Sequence, residues 1–172
     1  MRTVTTAAEI AEFRAEIRGK SLALVPTMGA LHEGHLTLVK EAKKHADVVV
    51  LSIFVNPLQF GANEDLAKYP RTLEADQGLA EAAGVDLVFA PTVEEVYPIG
   101  HPIEKLEAGP IGELFEGQSR LGHFDGMLTV VARLIDLVAP DIAVFGEKDA
   151  QQLFLVRTLA TERNAAGRHP LQ

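Results

Sequence analysis

Two histidines three residues apart, His32 and His35, flank Gly34 in the stretch Pro26-Thr27-Met28-Gly29-Ala30-Leu31-His32-Glu33-Gly34-His35. Imidazole titrates near neutrality, so each ring can donate a hydrogen bond to a phosphate oxygen without a permanent charge. Gly29 and Gly34 let the main chain come close to a ligand. A helix beginning near Gly34 adds unpaired N–H groups and the positive end of its dipole. Together these groups can hold and polarise a phosphate. The plainer reading is a turn with two surface histidines. A metal reading is weaker, because the spacing differs from the i, i+4 pair of an H-E-x-x-H helix. No other carboxylate or histidine cluster completes a tetrahedral set.

Three further stretches carry polar groups of the right kind. Phe54-Val55-Asn56-Pro57-Leu58-Gln59-Phe60 offers the amides of Asn56 and Gln59 beside apolar Leu58 and Phe60. That mix suits a small polar molecule bearing methyl groups, although Asn-Pro is equally a common turn start. Gly146-Glu147-Lys148-Asp149 offers Lys148 to neutralise developing phosphate charge. There Asp149 is placed to cap a helix that would turn Gln152 toward the same place. Glu116 to Phe124 is a glycine-punctuated loop with Arg120 and His123, read from spacing alone as flexible surface. Asp76 is a candidate ligand for a Mg²⁺ ion accompanying a nucleotide, and more simply an exposed helix carboxylate. Two other phosphate signatures fail. There is no G-x-G-x-x-G, and Gly19-Lys20-Ser21 has Arg14 where a Walker loop needs its first glycine.

The elements that must position these stretches follow from periodicity. Helices are expected over residues 6–17 (capped by Thr6), 34–46, 72–83, 124–138 and 149–161, with a helical turn over 92–96. Strands are expected over 21–25, 47–55, 85–90 and 142–145, with a weaker edge strand over 103–107. Pro26 and Gly29 are expected to end the first strand. Asp47 to Val55 (DVVVLSIFV) is apolar nearly throughout, as a parallel strand covered on both faces should be. The alternation predicts an α/β fold, a doubly wound parallel sheet of Rossmann-like type. In such sheets ligands bind beyond the carboxyl ends of the strands, near a topological switch point. Three of the stretches above fall at such strand ends.

Composition narrows the partners. The 172 residues carry 16 basic and 24 acidic side chains, a formal net charge of −8, with 47% hydrophobic residues. Mean hydropathy is +0.10 and the isoelectric point is near 5.2. That is ordinary globular composition, enough for one domain with its own core. A generally basic surface for nucleic acid or anionic membrane is excluded, so an anionic ligand needs a local site. The absence of cysteine excludes thiolate chemistry and disulfides. No apolar run reaches the roughly 18 residues of a membrane span. Met1-Arg2-Thr3-Val4 lacks the apolar core of a signal peptide. The expectation is a cytoplasmic protein.

Taken in order and spacing, VPTMGALHEGH (Val25–His35), SIFVNPLQF (Ser52–Phe60), YPRTLEAD (Tyr69–Asp76), GVDLVFAP (Gly84–Pro91), HFDG (His123–Gly126) and FGEKDAQQL (Phe145–Leu153) resemble the pantoate–β-alanine ligase family. That family belongs to the nucleotidyltransferases with a His-x-Gly-His signature, here His32-Glu33-Gly34-His35. The resemblance implies a two-step reaction. ATP and pantoate give pantoyl adenylate and pyrophosphate with Mg²⁺, and the amine of β-alanine then displaces AMP to give pantothenate. It implies that His32, His35 and Lys148 bind the ATP phosphates and stabilise the transition state. Met28, Gly34, Gly146 and Asp149 would complete the ATP site. Met28, Gln59 and Gln152 would line the pantoate pocket, and Arg120 and His123 would belong to a mobile flap. The family also implies a homodimer.

The departures are Leu121 where the family pattern has proline, Ala150 where many members have tyrosine, and the end of the chain. The resemblance runs to about residue 157, leaving 158–172 as a divergent tail. The family's C-terminal lid domain, with its Ser-x-Arg loop, is expected to be absent. Two other readings stay open: a nucleotide-binding fragment without turnover, and another nucleotidyltransferase with the same signature acting on a phosphorylated acceptor. The latter would want more basic residues in the Asn56–Phe60 loop.

Overall fold

The computed structural model describes residues 1–61 and 66–166. In chain order the elements are β1 (Arg2–Val4), α1 (Ala7–Glu16), β2 (Leu22–Thr27), α2 (Glu33–His45), β3 (Val48–Ile53), α3 (Leu73–Ala82), β4 (Leu87–Phe89), α4 (Val93–Val96), α5 (Gly109–Gly112), α6 (Glu116–Ser119), α7 (His123–Val138), β5 (Ile142–Ala143) and α8 (Ala150–Ala165). Short 3₁₀ turns lie at Pro57–Gln59 and Leu66–Lys68. The five strands form one parallel sheet in the order β1-β4-β3-β2-β5. The expected doubly wound parallel architecture is therefore present.

Alternate residues of the strands feed two cores, as the two-residue period of a strand requires. Leu22, Leu24 and Val50 pack with Ile10 of α1 and with Met127, Val131 and Leu134 of α7. Ala23, Val25, Val49 and Leu51 pack on the opposite face with Val39 and Ala42 of α2 and Ala80 of α3. From β2 the chain steps through β3 to β4 in one direction, then returns to lay β5 on the other side of β2. The winding reverses between β2 and β5, and a crevice opens there at the carboxyl ends.

Several boundaries differ from expectation for physical reasons. β2 continues through Pro26 to Thr27, because β5 pairs only with Ala23 and Leu24 and ends before Pro26. That side of β2 is locally an edge, where a residue without an N–H is tolerated. The stretch 103–107 is not a strand. One of its backbone donors goes to α7 instead: Leu106 N–H donates to Thr129 Oγ1 at 3.0 Å, and just beyond the stretch Ala108 N–H donates to Asp125 Oδ1 at 2.7 Å. The edge strand beside β4 is β1, too short for periodicity to reveal and paired with it in parallel. α8 runs on to Ala165, with Leu159 and Arg163 buried and Arg163 bonded to Asp136 of α7. Much of the segment expected to be a divergent tail is thus packed helix, and residues 167–172 lie outside the described residues. α1 starts as expected, with Thr6 and Glu9 forming a reciprocal capping box. No helix among the described residues is long and apolar enough to cross a membrane.

Candidate functional site

The crevice at the β2/β5 reversal holds a cavity of about 180 Å³. Its apolar wall comes from Phe54 and from Met127, Val130, Val131 and Leu134 of α7. Its polar groups are His35, Gln59, Tyr69, Asp149 and Gln152, with Met28 at the end of β2. A second hollow of about 150 Å³ shares Met28, Gln59, Asp149 and Gln152 and adds Arg120 and His123. Two spaces lined in common by two glutamines and an aspartate suit two ligands brought into contact.

The segment between β2 and α2 is held by side chains on three sides. Thr27 Oγ1 donates to the carbonyl of Ser52 at 2.7 Å and accepts the N–H of Gly29 at 3.2 Å. Gly29 (φ +85°) and Ala30 (φ +51°) then turn the chain through the left-handed region. A Cβ at Gly29 would lie 3.0 Å from Asp76 Oδ2 and 3.2 Å from Ile53 Cγ2, so a larger residue would be strained in φ and would also press on both side chains. The left-handed conformation at Ala30 costs about 1 kcal/mol. Asp76 offsets that cost.

Asp76 is only 2% exposed. It accepts the N–H of Ala30 at 3.0 Å, the N–H of Leu31 at 2.7 Å and the hydroxyl of Thr72 at 3.0 Å. The expectation of an exposed helix carboxylate is corrected. Its first-turn position on α3 faces the loop after β2, a relation sequence spacing does not show. Both oxygens are committed to protein donors, and no cluster of metal-ligating side chains occurs among the described residues. Asp76 therefore does not fit the role of a Mg²⁺ ligand. Asp76→Asn leaves one acceptor oxygen where two N–H groups need two, so it is expected to cost about 2 kcal/mol, the scale of one hydrogen bond to a charged group. Urea denaturation measures this.

The two histidines cap α2 reciprocally. His32 Nδ1 accepts the N–H of Gly34 at 3.0 Å, and His35 Nδ1 accepts the N–H of His32 at 3.3 Å. A backbone N–H can only donate, so both Nδ1 atoms are unprotonated. Each neutral ring then carries its proton on Nε2, which makes it a donor toward a ligand. The rings lie 4.2 Å apart. Gly34 is needed for this packing, because a Cβ there would sit 2.8 Å from His32 Cε1. Burial and then the neighbouring His32 push the His35 pKa down, partly opposed by Asp76.

The unfolded chain therefore takes up a proton at His35 more readily than the folded one. This contribution to stability is complete above about pH 6.5 and declines as pH falls below it. An NMR titration of the His35 ring is expected to show a midpoint below that of a free imidazole. A midpoint above about 6.5 would contradict the neutral capping geometry.

Met28, Gln59, Asp149 and Gln152 line both hollows, and His35 lines the first, with the His32 ring tilted against it. Gly34 lies in the first turn of α2. Gly146 and Lys148 sit in the β5–α8 connection, with Lys148 exposed and neither among the cavity walls. His123 is not part of a surface loop: it is the first residue of α7 and 8% exposed. One ring nitrogen lies 3.0 Å from the Gln59 carbonyl and the other 3.1 Å from Arg120 Nη1. Asn56 does not offer its amide to a ligand, being fully buried and bonded within the protein. Tyr69 and the apolar face of α7 belong to the site but were not anticipated from the sequence. The apolar run Met127–Ala132 of α7, broken only by Thr129, was the available signal, since a helix buried on more than one face can line a cavity as well as a core. Leu121 is 80% exposed and Ala150 is exposed, so neither departure from the family pattern disturbs the core.

A parallel sheet with a helix start and paired hollows at its switch point defines a domain of Rossmann-like, nucleotidyltransferase-type fold. Comparison with known proteins makes this particular. A family model described as pantoate-beta-alanine ligase matches residues 2–168, and the chain belongs to that family. It is 56% identical over 156 residues to the pantothenate synthetase of Streptomyces avermitilis, covering 89% of this chain and 47% of the relative. It is 57% identical over 159 residues to that of Acidothermus cellulolyticus, covering 92% of this chain and 52% of the relative. The crystal structure of pantothenate synthetase from Thermus thermophilus matches with TM-score 0.89 at 51% identity, over 100% of this chain and 60% of that one. The pantoate-beta-alanine ligase of Francisella tularensis, complexed with beta-gamma ATP and beta-alanine, matches with TM-score 0.88 at 39% identity, over 94% of this chain and 62% of that one. The chain thus spans about half the length of the curated relatives it matches.

Proposed function

We propose that this chain carries the ATP- and pantoate-binding part of a pantoate–β-alanine ligase, with residues 1–157 as the binding domain. The observation that carries the reading is the reciprocal histidine cap of α2 beside a cavity lined by Gln59 and Gln152. ATP binds with its phosphates at the start of α2. The Nε2–H groups of His32 and His35 then donate to phosphate oxygens. Pantoate lies across the apolar wall of α7 with its oxygens toward the two glutamine amides, next to Met28. Its carboxylate attacks the α-phosphorus. The bond to the bridging oxygen breaks, and pyrophosphate leaves with the electron pair. Lys148 closes on the departing charge, while Gly34, Gly146 and Asp149 hold the nucleotide. Arg120 and His123 cover the second hollow. The β-alanine amine then attacks the acyl carbon, and AMP departs. Mg²⁺ enters on the ATP phosphates as part of the substrate and screens their charge. No protein nucleophile is needed, since positioning and charge stabilisation supply the catalysis. The reading includes a cytoplasmic setting and a homodimer, as the family resemblance implies.

The test is pyrophosphate release with ATP, Mg²⁺ and pantoate, followed by AMP release on adding β-alanine, beside a Lys148→Ala control. Release that needs pantoate and fails in the control is the expected result. ATP binding without release would reduce the function to nucleotide binding. Release driven equally by a phosphorylated acceptor would favour another transferase with the same signature.

A further inference from the structure

Asn56 follows β3 and is fully buried, and two main-chain groups fix which way its amide faces. The N–H of Leu58 donates to Oδ1 at 3.2 Å, and Nδ2 donates to the carbonyl of Gly126 at 3.0 Å. Neither main-chain group can exchange its role, so Oδ1 and Nδ2 are assigned without ambiguity. The second Nδ2 proton goes to Gln59 Oε1 at 3.0 Å. The oxygen of Gln59 is thereby turned inward, and its Nε2 donors are what remain for the cavity. Tyr97, just past α4, donates its hydroxyl to Asn56 Oδ1 at 2.8 Å. Its ring stands edge-on to Phe54 with centroids 6.1 Å apart. Tyr97 lines neither hollow.

We infer that Tyr97 is a positioning residue of this site: together with the two main-chain groups it holds Asn56, and through Asn56 the Gln59 amide with its N–H donors toward the cavity, so that this point of the wall selects oxygen acceptors of the ligand. Burial keeps the phenol protonated far above neutrality, so it remains a donor throughout the working range. A ligand group that is itself only a donor is disfavoured at this amide, because the buried amide would be left unpaired. The identity of the ligand as pantoate rests on the proposed function; the relay does not.

The experiment is calorimetric titration of pantoate in the presence of a non-hydrolysable ATP analogue. The proteins are the unsubstituted chain, Tyr97→Phe, Gln59→Ala and the double variant. Tyr97→Phe removes one hydrogen bond and is expected to weaken pantoate about five- to tenfold, with affinity for the ATP analogue unchanged. In the Gln59→Ala background the same change is expected to add nothing, since its effect passes through that amide. Equal affinity in Tyr97→Phe and the unsubstituted chain overturns the inference. So does an equal loss in both backgrounds. If the unsubstituted chain takes up no pantoate, the ligand assignment fails by itself, and NMR of the side-chain amides then decides the relay. Shifts on Tyr97→Phe confined to the NH₂ signals of Asn56 and Gln59 uphold it, and unchanged signals overturn it.

Discussion

Alanine at position 35 is expected to slow pantoate-dependent pyrophosphate release by about 10²–10³-fold, the usual consequence of removing one preorganised donor from a developing charge. The reason lies in the geometry of the α2 cap. His35 Nδ1 is occupied by the N–H of His32, so the ring is locked in orientation and tautomer before any ligand arrives. Its Nε2–H needs no reorganisation when charge builds on the phosphate. Alanine removes that donor and also the acceptor that fixes His32. Its effect on folding is expected to be small, about 1 kcal/mol, as for other lost caps. Steady-state release and a thermal melt together separate the two. A rate loss below about threefold would exclude His35 from transition-state stabilisation. A rate loss matched by collapse of the melt would mean that the cap serves only the fold.

Gly126→Ala is expected to produce a large loss of stability, about 3 kcal/mol, which for a chain of this size lowers Tm by about 6–12 °C. A Cβ at this position would lie 2.0 Å from the carbonyl oxygen of Leu58, 2.5 Å from its carbon and 2.9 Å from the nitrogen of Gln59. All three are main-chain atoms, so no side chain can swing aside. The turn bearing Gln59 must move off α7. That breaks the bond from Asn56 to the Gly126 carbonyl, and pantoate binding should fall with stability. Gly78→Ala is the control. It lies on α3 with open space around its Cβ direction, and alanine there should stabilise by about 0.5–1 kcal/mol. A Gly126→Ala protein that melts within about 2 °C of the parent would show that the turn is not clamped as described.

Lys148 illustrates a group whose assignment rests on sequence more than on the geometry of the free chain. It stands exposed beside Asp149 and Gln152, which do line the hollows. A long side chain at the mouth of a crevice can reach inward when a phosphate is present, so its effect should show in the chemical step more than in stability.

The broad plan was legible because it depends on local pattern. β3 shows itself as an unbroken apolar run, since a central parallel strand meets apolar groups on both faces. Thr6 announces the start of α1 as a cap residue just before the apolar period. The βα alternation and the known location of ligands in wound sheets single out the loops after β2, β3 and β5. Within them, His35, Gln59, Asp149, Gln152 and Met28 all reach the hollows.

What escaped was every assignment that depends on a partner distant in sequence. Asp76 reads as exposed because its helix neighbours are polar, yet Ala30 and Leu31 bring their N–H groups to it across 46 and 45 residues. Asn56 reads equally as a ligand amide or as a turn start, and spacing does not show that Gly126 and Tyr97 bond it from 70 and 41 residues away. Residues 103–107 look like an edge strand by composition, but α7 offers their neighbourhood side-chain acceptors closer than any sheet edge. β1 is too short for periodicity and exists because β4 needs a partner on its open side. Hydrophobic period and local hydrogen bonding act within a few residues, so the layered α/β plan, the switch-point loops and the paired histidines at a helix start could all be read along the chain. Which polar side chains face the ligand, and which are spent holding those that do, was settled in three dimensions, because a buried polar group must find its partner in space, wherever the fold delivers one.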